Sequence, residues 1–357
     1  MKQEVKMASI QEKILQEHTL FWQVRELLQH PPSNKYIARL DEKEKFLLFN
    51  YAFHSPQFSF KNLGDYIQTL AVKYAIEMLY DNFEIEYYDR DVLNYYKLSE
   101  NNRVNEQVIV IMQGWFAHSA FSMPNSLMLP VYIGMHFTES FQRFLEKLLV
   151  FEPKYFSEVG CRDLYTMQFC EKMGINSYLS RCLTLVFPKR DRTDDQKKVF
   201  LVDVPEEFLP YFPNAILSES IKINQRRVIV DTWSEEFYFK KAQELLDIYK
   251  REARLVITID LHCAAPCIAM GIPVILIVSR EEQKRRFSAL NGILDAYSID
   301  DFKKRKVNFE PEQINIEELK GYILENLKLS IAQIKGEEFD RKYLQYLRSK
   351  IHHFNVL

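Results

Sequence analysis

The sequence predicts an α/β protein in which two halves, each built on a parallel sheet, face one another across a cleft. Three observations predict it. Short β-rich runs alternate with longer stretches of helical period. The alternation pauses once, at 188–198 (PKRDRTDDQKK), a charged linker nearly free of apolar residues. The length of 357 residues suits two domains of ordinary size. In open parallel sheets ligands bind beyond the carboxyl ends of strands, so chemistry is sought where strands end and helices begin.

The elements follow in order. The first forty residues are polar, with apolar residues recurring at Ile10, Ile14, Leu20 and Val24 before the break at His30-Pro31-Pro32, which predicts a helical N-terminal extension over 1–40. The first α/β domain is expected over 41–187. It has an apolar run at 45–53, helical period at 63–80, a β-rich run at 83–88, the strand VIVIM at 108–112 and another strand within 129–137. Beyond the linker, a second domain over 199–315 is expected to hold strands at 199–204, 255–259 and 273–278 and a weak one at 215–217. An amphipathic helix is expected at 235–251 and a buried one at 260–270. Residues 316–357 keep helical period with mixed charge and are expected to close the chain as C-terminal helices.

Composition removes several function classes. There are 47 Lys and Arg against 49 Asp and Glu, a net charge of −2, and no basic stripe, so no nucleic-acid partner is expected. The longest uncharged apolar stretch, 263–278, is short and interrupted by Pro266, Gly271 and Pro273, which argues against a membrane span. The five cysteines are an odd number spread along the chain, and no signal-like pattern opens it; both predict a cytoplasmic protein. Cys263 and Cys267 lack a second ligand pair, so neither a metal nor another cofactor is expected. The run Lys303-Lys304-Arg305-Lys306 is either a solvated helix end or a contact with the anionic inner face of a membrane. Glycine is scarce, 9 of 357, where about 7% is usual, so a glycine inside a motif carries information.

Five strand-to-helix junctions hold candidate residues. In Asn62-Leu63-Gly64-Asp65-Tyr66-Ile67-Gln68-Thr69 a glycine lets backbone approach a ligand, and Asn62 or Asp65 is either a site residue or a helix cap. Gly114-Trp115-Phe116-Ala117-His118 is either a sugar-stacking platform with an acid or base, or a buried aromatic corner. His136 holds the same position relative to its strand and reads as a core histidine. In Gly160-Cys161-Arg162-Asp163 the planar fork of Arg162 suits a carboxylate or phosphate, with Asp163 or Asp260 as alternative partners. Arg181, in Ser180-Arg181-Cys182-Leu183-Thr184-Leu185, reads as a surface arginine. In Asp260-Leu261-His262-Cys263-Ala264 a histidine falls at a helix N-terminus, where free N–H groups attract anions.

In this order and spacing the segments resemble the polysaccharide pyruvyl transferase family, from about residue 46 to about residue 297. Asn62, Gly64, Asp65, Gln68 and Thr69 match its Asn-x-Gly-Asp-x-x-Gln-Thr signature. Gly114, Trp115, Phe116 and His118 match a Gly-Trp-Phe-x-His segment of one bacterial branch, and 160–166 matches Gly-Cys-Arg-Asp-x-Tyr-Thr. The Ser-Gly-Cys-Leu-Thr-Leu segment is matched except for Arg181 in place of Gly, and the Arg-Leu-His-Cys-Ala block except for Asp260 in place of Arg. A later Arg-Phe-x-Gly-Leu appears as Arg286-Phe287-Ser288-Ala289-Leu290.

The resemblance implies a GT-B-like pair of Rossmann-type domains that moves the enolpyruvyl unit of phosphoenolpyruvate onto a sugar as a ketal. The acceptor is implied to be a cell-surface polysaccharide (exopolysaccharide or capsule) or its lipid-linked precursor, held by the first domain, with the donor on the second. On it, Arg162 and Arg286 bind the donor, His262 is the acid or a phosphate ligand, and Asp65 or His118 serves the acceptor beside Asn62, Gly64, Gln68 and Trp115. An acid at 260 would repel the donor by about 4 kcal/mol at about 4 Å, so Arg181 is expected to supply the missing cation, paired with Asp260. The competing readings are a GT-B glycosyltransferase using a nucleotide sugar and a non-catalytic glycan-binding member.

Overall fold

The computed structural model describes residues 2–33, 43–52, 61–96, 107–117, 119–191, 193, 195–228 and 234–357. Its first group of elements is α1 (Lys2–Gln29), β1 (Glu44–Asn50), α2 (Leu63–Leu79), β2 (Phe83–Asp89), β3 (Val108–Ile111), β4 (Gly114–Phe116), β5 (Met128–Val131), β6 (Met135–Phe137), α3 (Glu139–Phe151), β7 (Val159–Cys161), α4 (Leu164–Lys172) and β8 (Ser177–Leu179). The second is β9 (Lys198–Val202), α5 (Asn214–Glu219), β10 (Ser220–Ile223), α6 (Glu235–Glu252), β11 (Ala253–Thr258), α7 (Leu261–Ala269), β12 (Val274–Ile277), α8 (Glu281–Phe287), β13 (Ala296–Tyr297) and α9 (Ile299–Lys303), followed by α10 (Glu317–Lys335) and α11 (Arg341–His352).

All described sheets are parallel. In the first group the strand orders are β2-β1-β3-β5 and β4-β6-β7-β8. The chain runs from β3 into β4 and from β5 into β6, and each pair keeps its neighbour across the break, so the two sheets are one sheet interrupted at a common level. Gly134, at φ 65, makes the second break; a side chain there would meet Gln113 Oε1 at 2.8 Å. The second group forms one sheet, β10-β9-β11-β12-β13. Several strands are buried apolar runs, as covered parallel sheets require: β3, β5 and β12 are buried at every position.

One apolar cluster links the two groups. It runs from Phe46 and Ile109 through Ile67 of α2 and Leu261 and Ile268 of α7 to Val256 and Leu276. A smaller cluster behind the second sheet holds Val199, Ile257 and Phe302. Every residue of α7 is buried, which fits an interior helix apolar all round. No helix among the described residues is long and apolar enough to cross a membrane.

One expectation about the elements needs correction. The weak strand at 215–217 is instead α5, with β10 after it, because Pro213 opens a helical turn whose Ile216 packs into the smaller cluster. After 316 the chain forms the two helices α10 and α11, separated where Gly336 takes the left-handed cap, φ 72, that ends α10.

Arg181 stands at φ 58 and is buried. Its guanidinium donates to the carbonyls of Ala289 (3.0 Å), Asn291 (2.9 Å) and Ile351 (2.8 Å), and more distantly to those of His352 (3.4 Å) and Phe354 (3.3 Å). Five carbonyls that α11 and the turn after α8 cannot satisfy internally thus share one cation. Arg181→Met should lower unfolding free energy by about 3 kcal/mol, since charge-assisted hydrogen bonds are lost and carbonyls stay buried. Denaturant titration measures the loss, and trypsin should then cut after Lys350 faster than in the parent.

Candidate active site

The site forms where α2 and α7 begin. Asn62 caps α2, its side chain accepting the Gly64 N–H at 2.9 Å. A Cβ on Gly64 would lie 3.2 Å from His262 Cβ and 3.4 Å from its Nδ1, so the absent side chain lets the two helix starts meet. Asp65, in the first turn of α2, accepts from Gln68 Nε2 at 3.2 Å.

Arg162 follows β7 and is fully buried. Its Nη1 donates to Gln68 Oε1 at 3.2 Å and to His262 Nε2 at 3.3 Å. A guanidinium only donates, so His262 Nε2 accepts and its proton sits on Nδ1. Among the described residues Arg162 Nε and Nη2 are buried without hydrogen-bond partners, Nε lying 3.6 Å from Asp163 Oδ2 as an ion pair, and Nε of Arg286 on α8 likewise has none. Burial lowers Arg286 to about 10, and Arg162 acts in the same direction. Burial, reinforced by Arg162 and Arg286, also holds His262 well below the ordinary histidine value. Pro266 removes the N–H that would bond the His262 carbonyl, and Gln225 Nε2 takes that place at 3.3 Å.

A cavity of about 380 Å³ adjoins this cluster, lined by Trp115, His136, Tyr165, Arg226, Arg285 and Arg286 among others. His136 Nδ1 lies 2.6 Å from Asp163 Oδ2, and Asp163 Oδ1 accepts from the N–H and hydroxyl of Thr166 as the cap of α4. Burial takes His136 down to about 4, Asp163 opposing and Arg162 and Arg286 assisting. Asp163 is held below the usual carboxylate range by His136 and Arg162 despite burial. On the rim, Arg285 pairs with Glu139 at 2.9 Å and covers the Tyr165 ring at 5.0 Å.

The sequence-predicted residues are therefore only partly gathered. Asn62, Gly64, Asp65 and Gln68 back the Arg162–His262 contact, while Trp115 and Arg286 face the cavity. His118 lies outside the described residues. The expectation for Arg181 is corrected: its donors are committed to the carbonyls around the C-terminal segment, so it supplies no cation here. Asp260 pairs instead with Arg226, Nε to Oδ1 at 3.2 Å. Burial pushes the Asp260 carboxyl well above its ordinary value; Arg226 works against this and neighbouring Asp203 with it. The expected repulsion is accordingly quenched. Arg226 and Arg285 were missed because each sits in a charged run that reads as solvated surface, and Arg226 lies just beyond the misplaced strand. The Lys303–Lys306 run is exposed at the end of α9. Among the described residues no three His, Cys, Asp or Glu side chains gather as a metal site.

Two outcomes follow from this geometry. In Gly64→Ala, a helix-propensity gain of up to about 1 kcal/mol offsets the crowding, so stability should barely move, while displacement of His262 should cut turnover about tenfold. Parallel thermal melts and rate assays read the split. Buried neutral histidines bind protons less readily folded than unfolded, so stability is complete above about pH 6.5 and is lost as pH falls toward 4. His136 contributes about 3 kcal/mol of that loss, and His136→Gln should flatten the slope of unfolding free energy between pH 6.5 and 4.

No curated protein matches the chain. A family model described as polysaccharide pyruvyl transferase matches residues 62–282, more than half of it.

Proposed function

The chain belongs to the polysaccharide pyruvyl transferase family, and from that premise we propose that it transfers the enolpyruvyl unit of phosphoenolpyruvate to a sugar of a cell-surface polysaccharide or its lipid-linked precursor, as a ketal. One observation carries the reading. Arg162 and Arg286 bring buried guanidinium N–H groups that have no hydrogen-bond partner among the described residues to a cluster of two neutral histidines beside a cavity; Arg162 Nε lies 3.6 Å from the Asp163 carboxylate. Unpaired buried donors are costly, and a compact ligand bearing carboxylate and phosphate would satisfy them. The helix start at Leu261 adds its free N–H groups to the same attraction.

In this reading the protein is GT-B-like, with an N-terminal extension over 1–40, an acceptor-side domain over 41–187, a linker at 188–198, a donor-side domain over 199–315 and C-terminal helices over 316–357. Arg162 and Arg286 hold the donor. Burial, together with Arg162 and Arg286, keeps His262 neutral; a bound anion offsets both guanidiniums and draws Arg162 Nη1 onto itself, so Nε2 is freed to gain a proton on donor binding and deliver it to the methylene carbon. Asp65 and Trp115 serve the acceptor, the ring offering a face to a sugar. The five free cysteines suit the cytoplasm, where a lipid-linked acceptor would be met at the inner face of the membrane.

Phosphoenolpyruvate should raise the melting temperature of the parent, whereas UDP, GDP and CMP should not; the reverse pattern would favour a nucleotide-sugar enzyme. Arg162→Lys keeps the charge but loses the fork, and should weaken the phosphoenolpyruvate response at least tenfold in half-saturating concentration.

A further inference from the structure

Accepting the reading above, we propose that His136, oriented by Asp163, is the general base that takes the proton of the sugar hydroxyl attacking the donor. Three observations support this. First, His136 has one nitrogen committed and one free. Nδ1 bonds Asp163 Oδ2 at 2.6 Å, and Nε2 has no protein partner among the described residues although the ring lines the cavity. Second, Asp163 is itself fixed, with Oδ1 held by Thr166 N–H at 3.0 Å and Thr166 Oγ1 at 2.9 Å. A carboxylate so anchored requires the proton on Nδ1, which leaves a lone pair on Nε2 facing the space where substrate would lie. Third, the strand carrying His136 pairs with β4 so that Trp115 is its direct partner, which puts the base beside a ring suited to stack on a sugar.

The groups that face His136 make it responsive to the donor. Asp163 favours the imidazolium, Arg162 and Arg286 oppose it, His262 lies in the same cluster, and the Tyr165 ring lies tilted by 36° at 6.1 Å between ring centres. Before donor binds, burial together with the two guanidiniums outweighs Asp163, and the ring stays neutral. A donor anion neutralises them and leaves Asp163 unopposed, so basicity rises only once the donor is in place. Water or acceptor arriving first meets a weak base.

The proton count closes. His262 gives a proton to the methylene carbon of phosphoenolpyruvate, and the first hydroxyl oxygen bonds to the adjacent carbon while its proton passes to His136 Nε2. The carbon–oxygen bond to phosphate then breaks with its electron pair on the phosphate oxygen, which takes that proton from His136. The second hydroxyl closes the ketal and returns its proton to His262. Both hydroxyl protons are accounted for: one ends on phosphate and one replaces that now in the methyl group.

The test is nitrogen NMR of protein labelled with ¹⁵N-histidine, with His136 assigned by His136→Gln, titrated with and without phosphoenolpyruvate. A neutral Nδ1–H tautomer whose midpoint rises by about one pH unit when donor binds is expected. In Asp163→Asn, which keeps the helix cap, that rise should shrink and the tautomer mix. A His136 found as the Nε2–H tautomer, or unmoved by bound donor, overturns the proposal. Should His136→Gln fail to fold, assignment passes to Asp163→Asn through its shifted resonance. Phosphate release with the methyl glycosides of glucose, galactose and mannose as acceptor probes adds the kinetic arm. His136→Gln should lose about a thousandfold in kcat while its phosphoenolpyruvate melting shift persists, and turnover within threefold of the parent overturns the proposal. A parent protein that shows no melting shift with phosphoenolpyruvate instead defeats the underlying reading, an outcome separate from both.

Discussion

The contact of Arg162 Nη1 with both Gln68 and His262 is the constraint on which the site depends. It ties the second turn of α2 and the first turn of α7, one from each α/β group, to the end of β7 by a single charged side chain. Because a guanidinium is planar and rigid, fixing Nη1 also fixes where Nε and Nη2 point. The glycine at 64 and the proline at 266 serve the same contact. The first removes the side chain that would push His262 away, and the second frees a carbonyl that Gln225 then anchors.

Such a site is held together against its own electrostatics. Two buried arginines repel each other, suppress protonation of both histidines and, among the described residues, leave three guanidinium nitrogens without hydrogen bonds. Part of this cost is met by the apolar cluster that runs unbroken from one group of elements to the other, which lets charged groups sit strained without separating the halves. Arg181 shows the opposite economy. It is as buried as Arg162, yet it spends its donors on backbone carbonyls and closes the C-terminal segment onto the core. Two arginines of equal burial thus differ in role because one is saturated and the other is not.

Much of the architecture was legible because parallel strands advertise themselves as apolar runs: 45–50, 108–111 and 274–277 stand out without any partner in view. The short strand at 220–223 did not, since half of it is exposed at a sheet edge and its sequence, Ser-Ile-Lys-Ile, lacks the buried-strand pattern. The candidate site was legible where a glycine or a helix start marked it, as at Gly64, Arg162 and His262. His136 was seen and set aside as core. Sequence cannot tell a buried histidine with both nitrogens satisfied from one with a nitrogen free, because the deciding partner, Asp163, is 27 residues away. Nor could Arg181 be recognised as a clasp, since its acceptors are carbonyls more than a hundred residues later.

The acid at 260 shows why charge read from sequence alone misleads. A formal −1 beside an anion site implies repulsion of several kcal/mol only if the carboxylate is ionised and bare. The carboxylate is not bare: Arg226 lies at 3.2 Å from it, and burial, with Asp203 beside it, raises its pKa against the pull of Arg226, so the acid at 260 faces the cavity already paired with a cation. Arg226 is held from two sides, by Asp260 at its side chain and by the Asp203 carboxylate at its backbone N–H, 3.1 Å away. Asp203 adopts φ 53, and its Oδ2 also accepts the N–H of Gln225, the residue that anchors the His262 carbonyl. The two acids therefore act as a mount for an arginine and for the glutamine behind the histidine, and the departure from the expected arginine at 260 moves the positive charge to Arg226 instead of deleting it.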